Sequence, residues 1–145
     1  ELITPPNPKF DHNGSLNSVD GIQGRRPWIG SEWIGYTEEE IEIVLFELDP
    51  FEIDSIHIGF LNDNGSWIYL PLNVQIQVGD DLAWEKNENG ICSGVRDENF
   101  SMYIGQKGKY MRIIISAMDL IPEGQDGGGH IPWTFIDEIR ISYKP

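Results

Sequence analysis

The chain has 145 residues, the size of one ordinary domain, and 24 Asp and Glu against 10 Lys and Arg give it a formal net charge of −14. A surface of this sign repels a phosphate backbone and an anionic lipid leaflet, which argues against nucleic-acid binding and against electrostatic docking to membranes. With 39% hydrophobic and 11% aromatic residues, the chain is too rich in core-forming side chains for a disordered acidic tail.

Apolar and polar residues alternate with a period of two in several segments, which is the pattern of half-buried β-strands. In chain order these segments are 41–45, 56–60, 74–78, 110–115 and 139–143. The fourth is apolar on both faces for part of its length, which predicts a central strand. Stretches rich in Gly, Pro, Asn and Asp lie between them, at 11–35, 61–71, 79–90 and 117–132. Short antiparallel strands with long polar connections predict an all-β sandwich or jelly roll.

Residue types that support catalysis form no distinctive pattern in this sequence. The lone Cys92 has no evident base beside it, and the three histidines lack zinc-ligand spacing. His57 alternates with apolar residues of a predicted strand, so we expect it to face solvent or to be hydrogen-bonded within the sheet. Asp137 and Glu138 are neighbours on the last predicted strand and should point to opposite faces, which makes them a poor pair for glycoside hydrolysis. The sequence therefore predicts that the domain is not an enzyme.

Several segments, taken in order, resemble one family. They read LNSVDG at 16–21, SEWIGY at 31–36, IHIGFLNDNGSWIYLP at 56–71, KYMRI at 109–113 and GHIPWTFIDEI at 129–139. Their order and spacing resemble the discoidin, or factor V/VIII type C, fold that family 32 carbohydrate-binding modules share. The version at the C-terminus of bacterial chitobiases and β-hexosaminidases is especially similar. The resemblance implies an eight-stranded antiparallel jelly-roll β-sandwich of the galactose-binding type, with its first and last strands close together.

The resemblance extends over residues 14–143 and therefore sets the expected domain organisation. We predict a linker or N-terminal extension at 1–13 and a single discoidin-like domain at 14–145. The chain begins without Met and without the pattern of a signal peptide. We interpret it as a piece of a longer chain or as a mature product.

The resemblance also implies a structural calcium ion that joins an early loop to the last strand. Carried over position by position, the side-chain ligands are Asp20 and Glu138. The backbone carbonyl ligands are Asn17, Ile22 and Asp137. Such an all-oxygen shell suits calcium. The family often has Thr or Ser about five residues after the aspartate, where this chain has Arg25. The alternative is that Asp20 caps its own turn and that Glu138 is an ordinary charge at a strand end.

A sugar site needs flat apolar faces for stacking and planar or charged groups for the hydroxyls. In the resembling modules the sugar lies on loops at one end of the sandwich. The candidates here are two tryptophans and three polar residues near them: Trp28, Trp67, Asn64, Arg25 and His130. Trp28 lies in a segment that looks inserted and should be exposed, whereas Trp67 follows a turn and could either stack on sugar or plug the sandwich. Trp33 and Trp133 match positions where the family packs an aromatic residue under a loop.

These observations predict a non-catalytic carbohydrate-binding accessory module of a chitobiase-like or β-hexosaminidase-like glycoside hydrolase. The implied partner is a glycan with amino-sugar or galactose-type termini, with no nucleic acid and no membrane. We expect a bacterial secreted, periplasmic or cell-surface location and a monomer as an isolated domain. The alternative is a structural module that docks on its own catalytic domain and binds no sugar, because the same fold serves both roles.

Overall fold

A computed structural model of the chain describes residues 2–10, 33–82 and 90–145. The described residues contain eight strands: β1 (Ile34–Tyr36), β2 (Glu40–Leu45), β3 (Ile53–Phe60), β4 (Asn73–Gly79), β5 (Ile91–Gly94), β6 (Asn99–Gln106), β7 (Tyr110–Ser116) and β8 (Thr134–Tyr143). Their helical segments are two single turns of 3-10 helix, Pro8–Phe10 and Asn64–Ser66. Within the same residues, no helix has the length and apolarity needed to cross a membrane.

The strands form two four-stranded sheets in which every pairing is antiparallel. Sheet I has the order β1-β8-β3-β6, and sheet II has the order β2-β7-β4-β5. The all-β prediction is confirmed, and so are strands at the five alternating or apolar segments. β7 lies between β2 and β4, which confirms the predicted central position of 110–115.

The core lies between the two sheets and consists of the inward members of each alternating strand. Ile56 and Ile58 of sheet I and Val74, Ile76 and Ile113 of sheet II are each at most 1% exposed. Each fully buried aliphatic side chain of this kind contributes about 1.5–3 kcal/mol. The period of two therefore determines which face of each strand is left for solvent and ligands.

A second, smaller core cluster lies beside β1 and the start of β8. It contains Phe10, Trp33, Leu61, Ile68 and Phe135, with Trp133 packed against it. Trp33 is buried and Trp133 is partly buried, which confirms the packing roles expected for both.

Residues 2–10, predicted to be a linker or extension, run along the edges of β2 and β1. Leu2 bridges to Ile43, and the amide of Asn7 donates to the carbonyl of Gly35. Phe10 ends this segment with its ring 5.0 Å from that of Trp133, centroid to centroid. The described N-terminal segment thus packs on the sandwich.

One end of the sandwich carries four connections, at 37–39, 61–72, 95–98 and 117–133. They meet there because the strand ends that they leave are paired. Ser116 pairs with both Glu40 and Asn73, and Thr134 pairs with Tyr36. We call this end the loop end; the connection at 46–52 and the end of β8 lie at the opposite end.

Candidate functional site

The connection 61–72 folds back on itself into a small lobe at the loop end. The amides of Asp63 and Ile68 donate to each other's carbonyls, and Ser66 Oγ donates to Asp63 Oδ2 at 3.3 Å. Trp67 closes the turn in the left-handed conformation, with φ 62°. That conformation is uncommon for a bulky residue, so the contacts around the turn must hold it in place.

Trp67 lies flat against the connection 117–133. Its ring stacks on His130 with 4.5 Å between centroids and 21° between planes. Gly127, at φ 79°, also lies against the indole, because a Cβ built there would be 2.6 Å from indole Cδ1 and Nε1. Trp67 is nevertheless 39% exposed. It is therefore a partly exposed aromatic packed on the neighbouring connection and not a plug of the sandwich core.

Hydrogen bonds join the two connections beneath this stacked pair. The amide of Trp133 donates to the carbonyl of Trp67 at 2.8 Å, and the amide of Tyr69 donates to the carbonyl of Trp133 at 3.0 Å. The Tyr69 hydroxyl donates to the carbonyl of Asp126 at 2.7 Å. Burial, together with the charge of Asp126, raises the pKa of Tyr69, so this hydroxyl keeps its donor proton. The loop end is thus tied together before any ligand binds.

Two hollows are lined in part by residues of the lobe. One encloses about 140 Å³ and is lined by Lys9, Phe10, Ser66, Ile68, Trp133 and Phe135. The other, of about 450 Å³, is more open and is lined by Asn62, Leu70, Arg96, Asp97, Glu98 and Asn99. The first joins an aromatic wall to an ammonium and a hydroxyl, and the second combines amide, guanidinium and carboxylate groups. Both combinations suit a polyhydroxylated ligand.

Three of the five predicted sugar-site residues lie within the described residues. Trp67 and His130 are in direct contact, and Asn64 is exposed in the same lobe. Trp28 and Arg25 lie outside the described residues, and the role of all five in sugar binding stays a prediction. Sequence reasoning missed the residues that line the two hollows. The signal that was available was their position in polar connections that leave the same strand ends.

Asp137 and Glu138 lie at a β-bulge in the middle of β8. Ile58 pairs with Ile139 and Phe60 pairs with Ile136, so two residues of β8 face one of β3. Both acidic residues line one cavity of about 240 Å³ on the outer side of sheet I. The extra residue of the bulge interrupts the alternation on which the expectation of opposite faces rested, so that expectation stays a prediction.

The two carboxylates at the bulge are buried, Asp137 at 6% exposure and Glu138 at 5%. Asp137 Oδ1 accepts the amide proton of Glu138 at 2.5 Å. It also lies over the backbone of Gly59, where a Cβ would be only 1.8 Å away. Glu138 is thus not an ordinary exposed charge at a strand end.

The other predicted calcium ligands, Asp20, Asn17 and Ile22, lie outside the described residues. Within the described ranges, no group of three or more His, Cys, Asp and Glu side chains is arranged to hold a metal ion. The calcium site therefore stays a prediction.

No protein-family model matches the chain, and no curated protein matches it. Among solved structures, it is similar to CpGH89CBM32-6, produced by Clostridium perfringens, with a TM-score of 0.59. The two are 15% identical, and the match covers 99% of this chain and 91% of that chain. The likeness shows the fold. The eight-stranded jelly-roll sandwich implied by the resemblance is confirmed.

Proposed function

We propose that this domain is a non-catalytic carbohydrate-binding module that binds a glycan at its loop end. The stacked pair of Trp67 and His130 is the observation that carries the proposal. A partly exposed aromatic side chain that its neighbours already hold in place can stack on the C–H face of a sugar ring without first being ordered. The Clostridium perfringens protein supports this role, because its name denotes a family 32 carbohydrate-binding module.

The surroundings of the stacked pair supply partners for sugar hydroxyls. Asp63 and Ser66 lie in the same lobe as Trp67, and Lys9 borders the adjoining hollow. A site of one aromatic face and a few exposed polar groups binds weakly, because ordering the ligand offsets much of the contact energy. Weak binding is sufficient for an accessory module, since tethering raises the local concentration of substrate near a linked catalytic domain.

The finer assignment is also a proposal. We infer an accessory role on a secreted, chitobiase-like or β-hexosaminidase-like glycoside hydrolase, with an amino-sugar or galactose-type glycan as ligand. It is supported by the resemblance and by the name of the structural neighbour, in which GH89 denotes a glycoside hydrolase.

A calcium ion held by Glu138 and the Asp137 carbonyl belongs to the same proposal. It is supported by the resemblance, which implies Glu138 as a ligand, and by the burial of that carboxylate at 5% exposure, since calcium prefers oxygen ligands. We expect the thermal midpoint to fall when a chelator is added to the chain and to recover with excess calcium, because an ion that binds only the folded state stabilises it. A midpoint that is the same with and without chelator would contradict the proposal of a bound calcium ion.

The test of glycan binding compares the 145-residue chain with its variants on a glycan array, followed by titration of the best ligand. We expect Trp67→Ala and His130→Ala to weaken binding about tenfold or more, because an aromatic face provides both burial and stacking. Phe51→Ala is the matched control, since Phe51 is a 60% exposed aromatic at the opposite end. Absence of binding to every glycan would overturn the proposal and favour the docking module.

A further inference from the structure

The outer face of sheet I presents rows of polar side chains across three strands. His57 on β3 pairs with Ser101 on β6 and with Arg140 on β8. The next row in the same register consists of Ser55, Tyr103 and Ser142. Because Ile56 and Ile58 point into the core, the residues that alternate with them face away from it.

These rows border a continuous groove. The cavity of about 240 Å³ at the bulge is lined by polar groups that include Asn99, Ser101 and Asp137. A shallower hollow of about 440 Å³ adjoins it and is lined by His57, Arg140, Ile141 and Ser142. The two share His57 and Arg140, so the groove crosses the sheet from the bulge towards the end of β8.

Arg140 is available to a ligand in a way that its counterpart on sheet II is not. Arg112, on the outer face of sheet II, donates to Glu42 at 2.8 Å and to Gln77 at 3.1 Å. Arg140 is exposed, and among the described residues it forms no hydrogen bond or ion pair. The chain has a net charge of −14, so carboxylates that could pair with an arginine are abundant. A guanidinium that nevertheless stays unpaired beside a groove is a hydrogen-bond donor available to a ligand.

The charges along the groove indicate a neutral ligand. The carboxylates of Asp137 and Glu138 at one end disfavour an anion, and the guanidinium of Arg140 beside them disfavours a cation. Sugar hydroxyls both donate and accept, so one sugar can hydrogen-bond to a guanidinium and to the amide of Asn99 beside a carboxylate without a charge of its own. Tyr103, 64% exposed in the second row, adds a flat face on which a ring can stack.

We propose that the outer face of sheet I is a second saccharide site, which takes a neutral oligosaccharide and is separate from the loop end. The assignment of a sugar as ligand rests on the proposed function, whereas the place rests on the groove itself. Gly59 lines the cavity at the bulge, and Ser142, the partner of Ser55, lines the other hollow; from Gly59 to Ser55 along β3 the distance is about 13 Å, at about 3.3 Å per residue, so the groove is longer than one ring. Two sites on one module would raise its avidity for a polymer.

The experiment follows the backbone amide signals of the 15N-labelled chain while tetramers to hexamers of N-acetylglucosamine or of galactose are added. We expect shifts in β3, β6 and β8 that are separate from those in 61–72 and 117–133. Arg140→Ala should weaken the response on the sheet about tenfold, the loss of one charge-assisted hydrogen bond, while Trp67→Ala leaves it unchanged. Arg112→Ala removes the same charge from the other sheet and should also leave the response unchanged.

The outcomes separate this inference from the proposed function. Shifts confined to the loop end would overturn the second site and leave the first one standing. Shifts confined to the sheet, and weakened by Arg140→Ala, would establish the second site and remove the first. Tighter binding of a uronic-acid oligomer than of the neutral ones would overturn the neutral class of ligand. Absence of shifts with every oligomer would overturn both sites.

Discussion

Each of the two sheets carries an arginine on its outer face, but the two arginines have different surroundings. On sheet II, Arg112 is held by a carboxylate and an amide on the strands at either side. On sheet I, Arg140 has His57 as its partner in register and stays exposed beside a groove. A charge that its neighbours satisfy stabilises the fold, whereas one left unsatisfied costs little at the surface and can serve a ligand. The comparison predicts where mutation should reduce stability and where it should reduce binding.

The largest stability effect should come from the glycine beneath the bulge of sheet I. Gly59→Ala places a Cβ 1.8 Å from Asp137 Oδ1, so the buried carboxylate must move. We expect a loss of about 1–3 kcal/mol in the free energy of unfolding, measured by urea denaturation.

Gly94, on β5 of sheet II, is the matched control for this substitution. A Cβ there would meet only the carbonyl of Leu72, at an ordinary 3.8 Å, so Gly94→Ala should change stability by less than about 1 kcal/mol. Equal losses at Gly59 and Gly94 would show that the bulge imposes no special constraint on sheet I.

The two arginines provide the next test. Arg112→Ala removes a hydrogen-bonded ion pair whose side chains are 20% and 23% exposed, and should lower the free energy of unfolding by about 1 kcal/mol. Arg140→Ala should change it by no more than about 0.5 kcal/mol, the usual range for an uninvolved surface residue. Urea denaturation measures both free energies of unfolding. A loss above about 0.5 kcal/mol for Arg140→Ala would contradict the assignment of Arg140 as a side chain that is free to bind a ligand.

The sequence predicts which residues of a strand face outward, but it does not predict which of them are paired. Arg112 and Arg140 both occupy polar positions of an alternating strand and look equivalent along the chain. Their difference arises because β7 lies between strands that carry Glu42 and Gln77, whereas β8 lies beside His57. Strand order is a long-range property that alternation does not encode.

Strand β6 alternates in the sequence but is not among the strands that the sequence analysis predicts. In β6, Phe100, Met102 and Ile104 alternate as buried residues, yet Asn99, Ser101 and Gly105 beside them are residue types common in loops. The bulge in β8 gave no such signal, because it follows from the close approach of Asp137 to Gly59 on a neighbouring strand. The stacking of Trp67 on His130 likewise depends on two connections that meet only in the folded chain.

The smallest effect is expected from the ion pair at the end of sheet I opposite the loop end. Lys144 Nζ contacts Glu52 Oε1 at 2.8 Å and the Tyr103 hydroxyl at 3.4 Å. The hydrogen bonds to Glu52 and Tyr103 raise the pKa of Lys144. Because the folded chain holds this proton more tightly, the pair stabilises the fold below the ordinary lysine pKa, and the contribution is lost as pH rises through the folded value.

Lys144→Gln should therefore lower the thermal midpoint only slightly at neutral pH, and the difference should vanish at strongly alkaline pH. Added salt should also remove it, since the lysine is 41% exposed, whereas the better shielded Arg112 pair should keep more of its effect. The measurement is the thermal midpoint of wild type, Lys144→Gln and Arg112→Ala over a range of pH and of salt concentration. If salt weakened the Arg112 and Lys144 pairs equally, the expectation that the Arg112 pair is better shielded from solvent ions would be wrong.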